Sequence, residues 1–299
     1  MVRPIALVVA AAAVLMPMRE QAVQPALYDA GVTVRLLDAG TETDITLHDY
    51  LVGVVLQEMP ASFETEALKA QAVAARTFTV HCITEGGAHE TADICGDPAC
   101  CQCYLDAAER REVYGDGYEA AEEQVREAVE ETDGQVMVCD GTLIEAVYFS
   151  STYGSTESAA AVWGNEVSYL QAVSSPEEAR VTEQRVPLEE FRAALSGARL
   201  EGTPASWFGA VAYTEGGAVE SMEIGGIPYS GGKLRALFSL RSARFTVAVE
   251  EDAIVFSVSG SGLGVGMSQY GAEELARRGE TYRTILTHYY QGAELKELY

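Results

Sequence analysis

Apolar and polar residues first alternate over residues 32–47. Val32, Val34 and Leu36 share one phase, and Ile45 and Leu47 another, on either side of Asp38-Ala39-Gly40. This predicts two strands joined by a turn. From about Asp49 the spacing becomes helical: Leu51, Val54, Val55 and Glu58 recur at i, i+3, i+4 and i+7. Pro60 ends that helix near Met59. An alanine-rich second helix is predicted from about Glu64 to His81, with Ser62 as its N-cap. Residues 84–117 carry no period and hold Gly86-Gly87, His89 and four cysteines, which reads as a loop insertion. A helix over roughly 118–131 follows, with Gly134 past its end, then a hairpin turning at Asp140-Gly141. Further on, the pattern predicts a helix over Pro187–Leu195, strands near 209–222, 244–249 and 253–258, a glycine-dense stretch over 260–266, and helices near 268–277 and 281–290. No repeat, low-complexity tract or linker interrupts this order. Residues 30–299 are therefore expected to form one compact α+β domain, with helices, short antiparallel strands and room for two lobes.

Composition narrows the function. The 299 residues hold 20 Lys and Arg against 45 Asp and Glu, a net charge of −25. That balance leaves no large basic patch, so no nucleic-acid partner is expected. A hydrophobic content of 48% excludes a disordered acidic chain. Most of the acidic excess, as in Glu119–Asp133, suits a solvated helix face.

The N-terminus departs from the rest. Met1–Arg3 give a positive start, Pro4–Met18 carry no charge, and Arg19-Glu20 end the run. These residues are too short to span a bilayer comfortably but fit the apolar region of an export signal. No small-x-small cleavage site follows, so residues 1–20 are expected to act as an uncleaved membrane anchor, with the remainder outside the cytoplasm. A buried helix at the chain start is the alternative.

Glu58 is the most unusual residue by position. A carboxylate on an apolar helix stripe is costly when ionised and unpaired, and burial raises its pKa toward the range a general acid needs. Gln71 and Arg76 on the second helix could face it. Pattern alone leaves two roles open: a catalytic acid, or a buried Glu58–Arg76 ion pair joining two helices.

The six cysteines are Cys82, Cys95, Cys100, Cys101, Cys103 and Cys139. An even count in an exported chain suits disulfides, yet four of them within nine residues are crowded for mutual bridging. His89, Cys95 and Cys101 offer one imidazole and two thiols, a zinc set whose fourth ligand would be water, Cys103 or Cys100. Spacing alone does not choose between the two. Cys82 and Cys139 suit buried small residues or a bridge.

Three segments together resemble the stage II sporulation protein D family. The first runs from Val55 to Phe78, through Glu58-Met59-Pro60 and Ala74-Ala75-Arg76. The second is Tyr148–Glu157, continued by Val162-Trp163-Gly164 and Tyr169-Leu170. The third is Gly264–Ala272, continued by His288–Gly292. The resemblance implies a lytic transglycosylase acting during engulfment in sporulation. Its substrate would be peptidoglycan glycan strands whose stem peptides have been removed. Glu58 would be the catalytic acid. Gln71, Arg76, Ser150, Ser151, Ser268, Gln269 and Tyr270 are candidate substrate contacts; for the last five, a turn or capping role is the alternative. Some clostridial members hold zinc through a His and two Cys at the positions of His89, Cys95 and Cys101, which implies a structural zinc here. A cell-wall amidase and a membrane partner of the engulfment machinery are the implied partners. Amidase enhancers share the domain, so a non-catalytic peptidoglycan-binding module is the rival reading. Two motif histidines are replaced, by Phe149 and Leu263.

Overall fold

A computed structural model describes residues 27–195 and 197–298. The expected anchor over residues 1–20 lies outside them, and no helix among the described residues is long and apolar enough to cross a membrane. The alternating segment forms the predicted hairpin. Strands β1 (Thr33–Asp38) and β2 (Thr41–Thr46) pair antiparallel from Thr33↔Thr46 to Asp38↔Thr41. Ala39 and Gly40 turn between them with φ of 44° and 80°, both positive as a tight hairpin turn requires. Helix α1 (Leu47–Glu58) begins two residues earlier than expected, because Thr46 caps it: its hydroxyl accepts the Asp49 N–H at 3.1 Å. The chain leaves helical geometry at Met59, one residue before Pro60.

Helix α2 (Thr65–Glu85) is longer than its pattern suggested, and Ser62 does not cap it. The N-cap position belongs to Glu64, whose backbone N–H donates to Glu273 Oε2 at 2.7 Å. From Ala67 to Thr77 every residue but Lys69 is buried. The small alanines let α1, later helices and a strand pack around it on several sides.

Arg76 does not reach Glu58. It is fully buried, with Nη2 2.7 Å from Asp29 Oδ2 and Nε 2.8 Å from the same oxygen. Its remaining N–H groups reach the Val129 and Gln135 carbonyls and Thr132. The reason is angular. Arg76 lies five residues beyond Gln71, about 140° round the helix, so the two cannot share a face.

The expected loop insertion contains a helix. In α3 (Ala107–Tyr114), Asp106 accepts the Ala108 and Glu109 N–H groups while the Glu109 carboxylate accepts the Asp106 N–H. This is a reciprocal capping box. Helix α4 (Tyr118–Glu130) then buries Val125, Ala128 and Val129. Strands β3 (Gln135–Cys139) and β4 (Thr142–Leu143) form the Asp140-Gly141 hairpin.

A second core begins at β5 (Val181–Pro187) and α5 (Leu188–Ala194). Strands β6 (Phe208–Tyr213), β7 (Val219–Ile224) and β8 (Ile227–Ser230) form one antiparallel sheet. Helix α6 (Gly231–Leu237) leads to β9 (Phe245–Val249) and β10 (Ala253–Ser259), which join β5 in the order β9-β10-β5. Phe191, Trp207, Phe238, Phe245 and Phe256 stack within this cluster, separately from the larger core. The chain then returns. Helices α7 (Gln269–Arg277) and α8 (Tyr282–Tyr289) pack on α2, and β11 (Glu294–Glu297) pairs antiparallel with β3. The result is an α+β fold with two hydrophobic cores. The larger is built from both ends of the described chain, and the smaller from the segment between.

The Asp29–Arg76 pair ties the first turn of the described chain to the centre of α2. Removing one partner leaves a buried charge uncompensated, so Asp29→Ala is expected to cost about 3–5 kcal/mol. Urea unfolding at neutral pH reads this as a fall in midpoint with little change in slope.

Candidate functional site

Glu58 closes α1, where the chain turns at Met59-Pro60. Its carboxylate is held from two distant segments. Oε1 accepts the Cys103 backbone N–H at 3.1 Å, and Oε2 accepts the Gln269 side-chain N–H at 3.0 Å. Glu58 lines a cleft of about 170 Å³ with Phe78, Pro98, Cys101, Gln102, Val147 and Tyr148. Two influences oppose each other there. Desolvation raises the Glu58 pKa, while the donors Gln269, Cys103 and Tyr148 lower it; burial prevails and the net shift is upward.

Each donor has its own support. Gln269 opens α7, whose N-cap is Ser268: the Ser268 hydroxyl accepts the Gly271 N–H at 3.2 Å and donates to Glu177 Oε1 at 2.5 Å. Gly271 is required there, because a Cβ would collide with Tyr289, Ser175 and Glu177. Met267-Ser268 pair in parallel with Tyr148-Phe149, which sets Gln269 and Tyr148 beside the same carboxylate. Cys103 follows Gln102, which is 2% exposed. The Gln102 amide donates to the Tyr148 hydroxyl at 2.9 Å and accepts from Thr79 at 2.8 Å and from Tyr50 at 3.3 Å. This pins residues 101–103 to the core.

The candidate substrate residues divide. Gln269 touches Glu58. Gln71 lies on the α2 face of Ala75 and Phe78, at i, i+4 and i+7, and its buried amide has no hydrogen-bond partner. Ser150 is half-buried, and its carbonyl accepts the Tyr270 N–H at 3.1 Å. Tyr270 borders a second, open cleft of about 600 Å³. Three candidates are turned away. Arg76 serves Asp29. Ser268 is fully buried as a helix cap, and Ser151 is 4% exposed and paired through its backbone with Ser261. Sequence reasoning missed Gln102, the Cys103 N–H and Glu177, because a glutamine between cysteines, a backbone group and a surface-patterned glutamate carry no signature. Phe149, at a motif-histidine position, is buried; Leu263, at the other, is exposed.

His89, Cys95, Cys100 and Cys101 gather with their ligand atoms within 4.8 Å of one another. His89 Nε2 lies 3.6 Å from Cys100 Sγ and 3.5 Å from Cys101 Sγ, and the two sulfurs are 3.8 Å apart. A tetrahedral zinc with ordinary Zn–S and Zn–N bonds requires edges of about 3.8 Å between sulfurs and about 3.6 Å between sulfur and nitrogen. The three edges among His89, Cys100 and Cys101 match those of a tetrahedral cation, and Cys95 lies within 4.8 Å of each as the fourth donor. Of the expected fourth ligands, water, Cys103 or Cys100, the cluster contains Cys100. All six cysteines are free thiols rather than disulfides. Burial, then the neighbouring Cys95, pushes the Cys100 thiol up, and the Cys101 thiol is also raised chiefly by burial. A bound cation would reverse that cost by stabilising thiolates. The cluster is continuous with the acid: Cys101 belongs to it, Gln102 anchors to the core, and Cys103 donates to Glu58.

The family described as Stage II sporulation protein matches residues 39–139. That range spans Glu58, α2 and the cysteine cluster. Stage II sporulation protein D of Bacillus subtilis (strain 168) is 36% identical over 261 residues, covering 85% of this chain and 75% of the relative. Stage II sporulation protein D of Bacillus amyloliquefaciens is 33% identical, covering 92% and 81%. A protein of Bacillus subtilis (strain 168) named Amidase enhancer is 29% identical, covering 82% of this chain and 40% of its own length. With relatives of that name 33–36% identical over 85–92% of its length, the chain belongs to the stage II sporulation protein D family.

Proposed function

We propose that the protein is a lytic transglycosylase that cleaves peptide-free peptidoglycan strands between N-acetylmuramic acid and N-acetylglucosamine, with Glu58 as its single acid and base. The observation that carries this reading is one carboxylate in a desolvated cleft, held through both oxygens, with no other carboxylate lining that cleft among the described residues. Protonated Glu58 gives its proton to the glycosidic oxygen as the C1–O bond breaks. The resulting carboxylate then takes the proton of the muramic 6-hydroxyl as O6 closes on C1. The product is a 1,6-anhydro end, and no water is consumed. Because the nucleophile is part of the substrate, the paired carboxylates of ordinary glycoside hydrolases are unnecessary. Gln269 and the Cys103 N–H orient the carboxyl group and stabilise its ionised form between the two proton transfers.

The same reading takes His89, Cys95, Cys100 and Cys101 as ligands of a structural zinc. Bound there, the ion would supply a fixed tetrahedral cross-link and hold the thiols as thiolates. The chain's own contribution is the short run from Cys101 to Cys103, which carries that rigidity to the N–H group on Glu58. Residues 1–20 would anchor the protein in the membrane with the catalytic part outside the cytoplasm. A cell-wall amidase that strips the stem peptides, and a membrane partner in engulfment, would act beside it.

Two outcomes are expected. Wild-type protein incubated with peptide-free strands yields 1,6-anhydro-muramic ends by mass spectrometry, and Glu58→Gln lowers their rate by about 10²–10⁴-fold. If neither protein cuts but both accelerate an amidase, the protein is an enhancer like its 29% relative and Glu58 is not an acid. For the metal, stripped protein takes up one cobalt(II) per chain with thiolate-to-metal absorption. In Cys100→Ser that absorption falls by about a third, as three thiolates become two. An unchanged spectrum would remove Cys100 from the ligands and leave water or Cys103 in the fourth position. Metal removal is also expected to shift the Cys103 amide resonance.

A further inference from the structure

The open cleft next to Tyr270 is not used by the mechanism above. It begins where the acid's support ends. Gln269 donates to Glu58, and its neighbour Tyr270 turns its ring into the cleft, edge-on to Phe63 at 5.1 Å between centroids. Phe63 itself follows Glu58 by five residues, across the Met59-Pro60 turn. The consecutive residues Gln269 and Tyr270 thus link Glu58 to this floor. At about 600 Å³ the cleft is of a size that houses a ligand larger than one sugar ring.

Its charges are mostly spent. Glu273 pairs with Arg277 at 2.9 Å and Glu274 with Arg278 at 2.8 Å, each within α7. Arg180 is different. Its guanidinium lies 3.7 Å from the centroid of the Tyr270 ring, and among the described residues no carboxylate lies within ion-pair distance of it. In a chain of net charge −25 an exposed arginine so placed is a free, flat donor array. Glu177 also borders the cleft, with its carboxylate turned into the protein. It is 7% exposed; Oε1 accepts from Ser268 and from the Thr152 N–H, while the buried Oε2 has no partner. The cleft thus offers one unpaired cation, Arg180, and an aromatic edge, with the exposed carboxylate of Glu178 at its rim.

We propose that this cleft is a subsite for a muramic acid residue, in which Arg180 binds the free lactyl carboxylate and so selects strands whose stem peptides have been removed. The proposal rests on the glycan-strand reading of the site. Its chemistry is complementary group by group. Amidase action converts the lactyl amide into a carboxylate, a bidentate partner for a guanidinium. With the stem peptide attached the same carbon is a neutral amide and bulky. The apolar face of the sugar suits the edges of Phe63 and Tyr270. An anionic strand approaching so acidic a protein also needs a local cation to offset the long-range repulsion.

The test is binding without cleavage. The full chain carrying Glu58→Gln is titrated by calorimetry with peptide-free strands, and with the same strands methyl-esterified at the lactyl group. The parent is expected to prefer the acid by ~10-fold. Adding Arg180→Gln should bring the two strands within about twofold of each other, and Arg180→Lys should restore part of the preference. Equal affinity of the parent for both strands, or a preference that survives Arg180→Gln, overturns the role of Arg180 while leaving glycan binding intact. Failure of both strands to bind either protein overturns the glycan reading itself, and this proposal with it.

Discussion

A carboxylate at the end of a buried helix sets the terms for the rest of this structure. Ionised and dry, Glu58 would be costly. The fold meets that cost with two N–H donors drawn from segments 45 and 211 residues away, Cys103 and Gln269. Neither donor is local, so the acid exists only when the cysteine loop, α1 and the start of α7 are all in place. The surroundings answer to the same demand. Gln102 saturates its amide within the core, Ser268 caps α7 against Glu177, and Gly271 allows Tyr289 to approach.

The two-core arrangement explains how such distant segments meet. The larger core is assembled from the beginning and the end of the described chain, with α7, α8 and β11 closing on α2 and β3. The smaller core, residues 181–258, occupies the interval between. Arg180 and Glu177 sit where the chain crosses from the first to the second, beside the opening of α7. The His89, Cys95, Cys100 and Cys101 cluster lies on the other side of Glu58, joined to it through the run Cys101–Cys103.

Much of this was legible in the sequence, for identifiable reasons. The alternation over 32–47 and the helical spacing from Asp49 are signals that tertiary packing reinforces, and both elements form, the helix starting two residues early at Leu47. The glycine-rich approach to α7 and the two closing helices were equally plain. The failures are also physical. Helix α3 carries a capping box, Asp106 with Glu109, but the adjacent cysteines drew the whole stretch into a loop reading. Helix α6 opens on Gly231-Gly232, residues that argue against a helix, and forms because Ser230 caps it and Leu234 is buried. Arg76 lies about 140° round the helix from Gln71 and turns to Asp29 rather than Glu58. The Cys103 donor is a backbone group, invisible to any reading of side chains.

The account stands on Glu58 being a proton carrier whose pKa burial has raised. In the folded state its proton is held more tightly than in the unfolded chain. Protonated Glu58 therefore favours folding below the ordinary glutamate value of 4.5, and that contribution is lost as pH rises through the higher folded value. The most direct measurement is a carbon-13 NMR titration of labelled glutamate side chains, with the Glu58 resonance identified by its absence in Glu58→Gln. A midpoint above the ordinary glutamate value is the predicted result. A midpoint at or below it would mean that the Cys103 and Gln269 donors outweigh burial. Glu58 would then be a fixed anion, unable to give the proton on which the proposed cleavage depends.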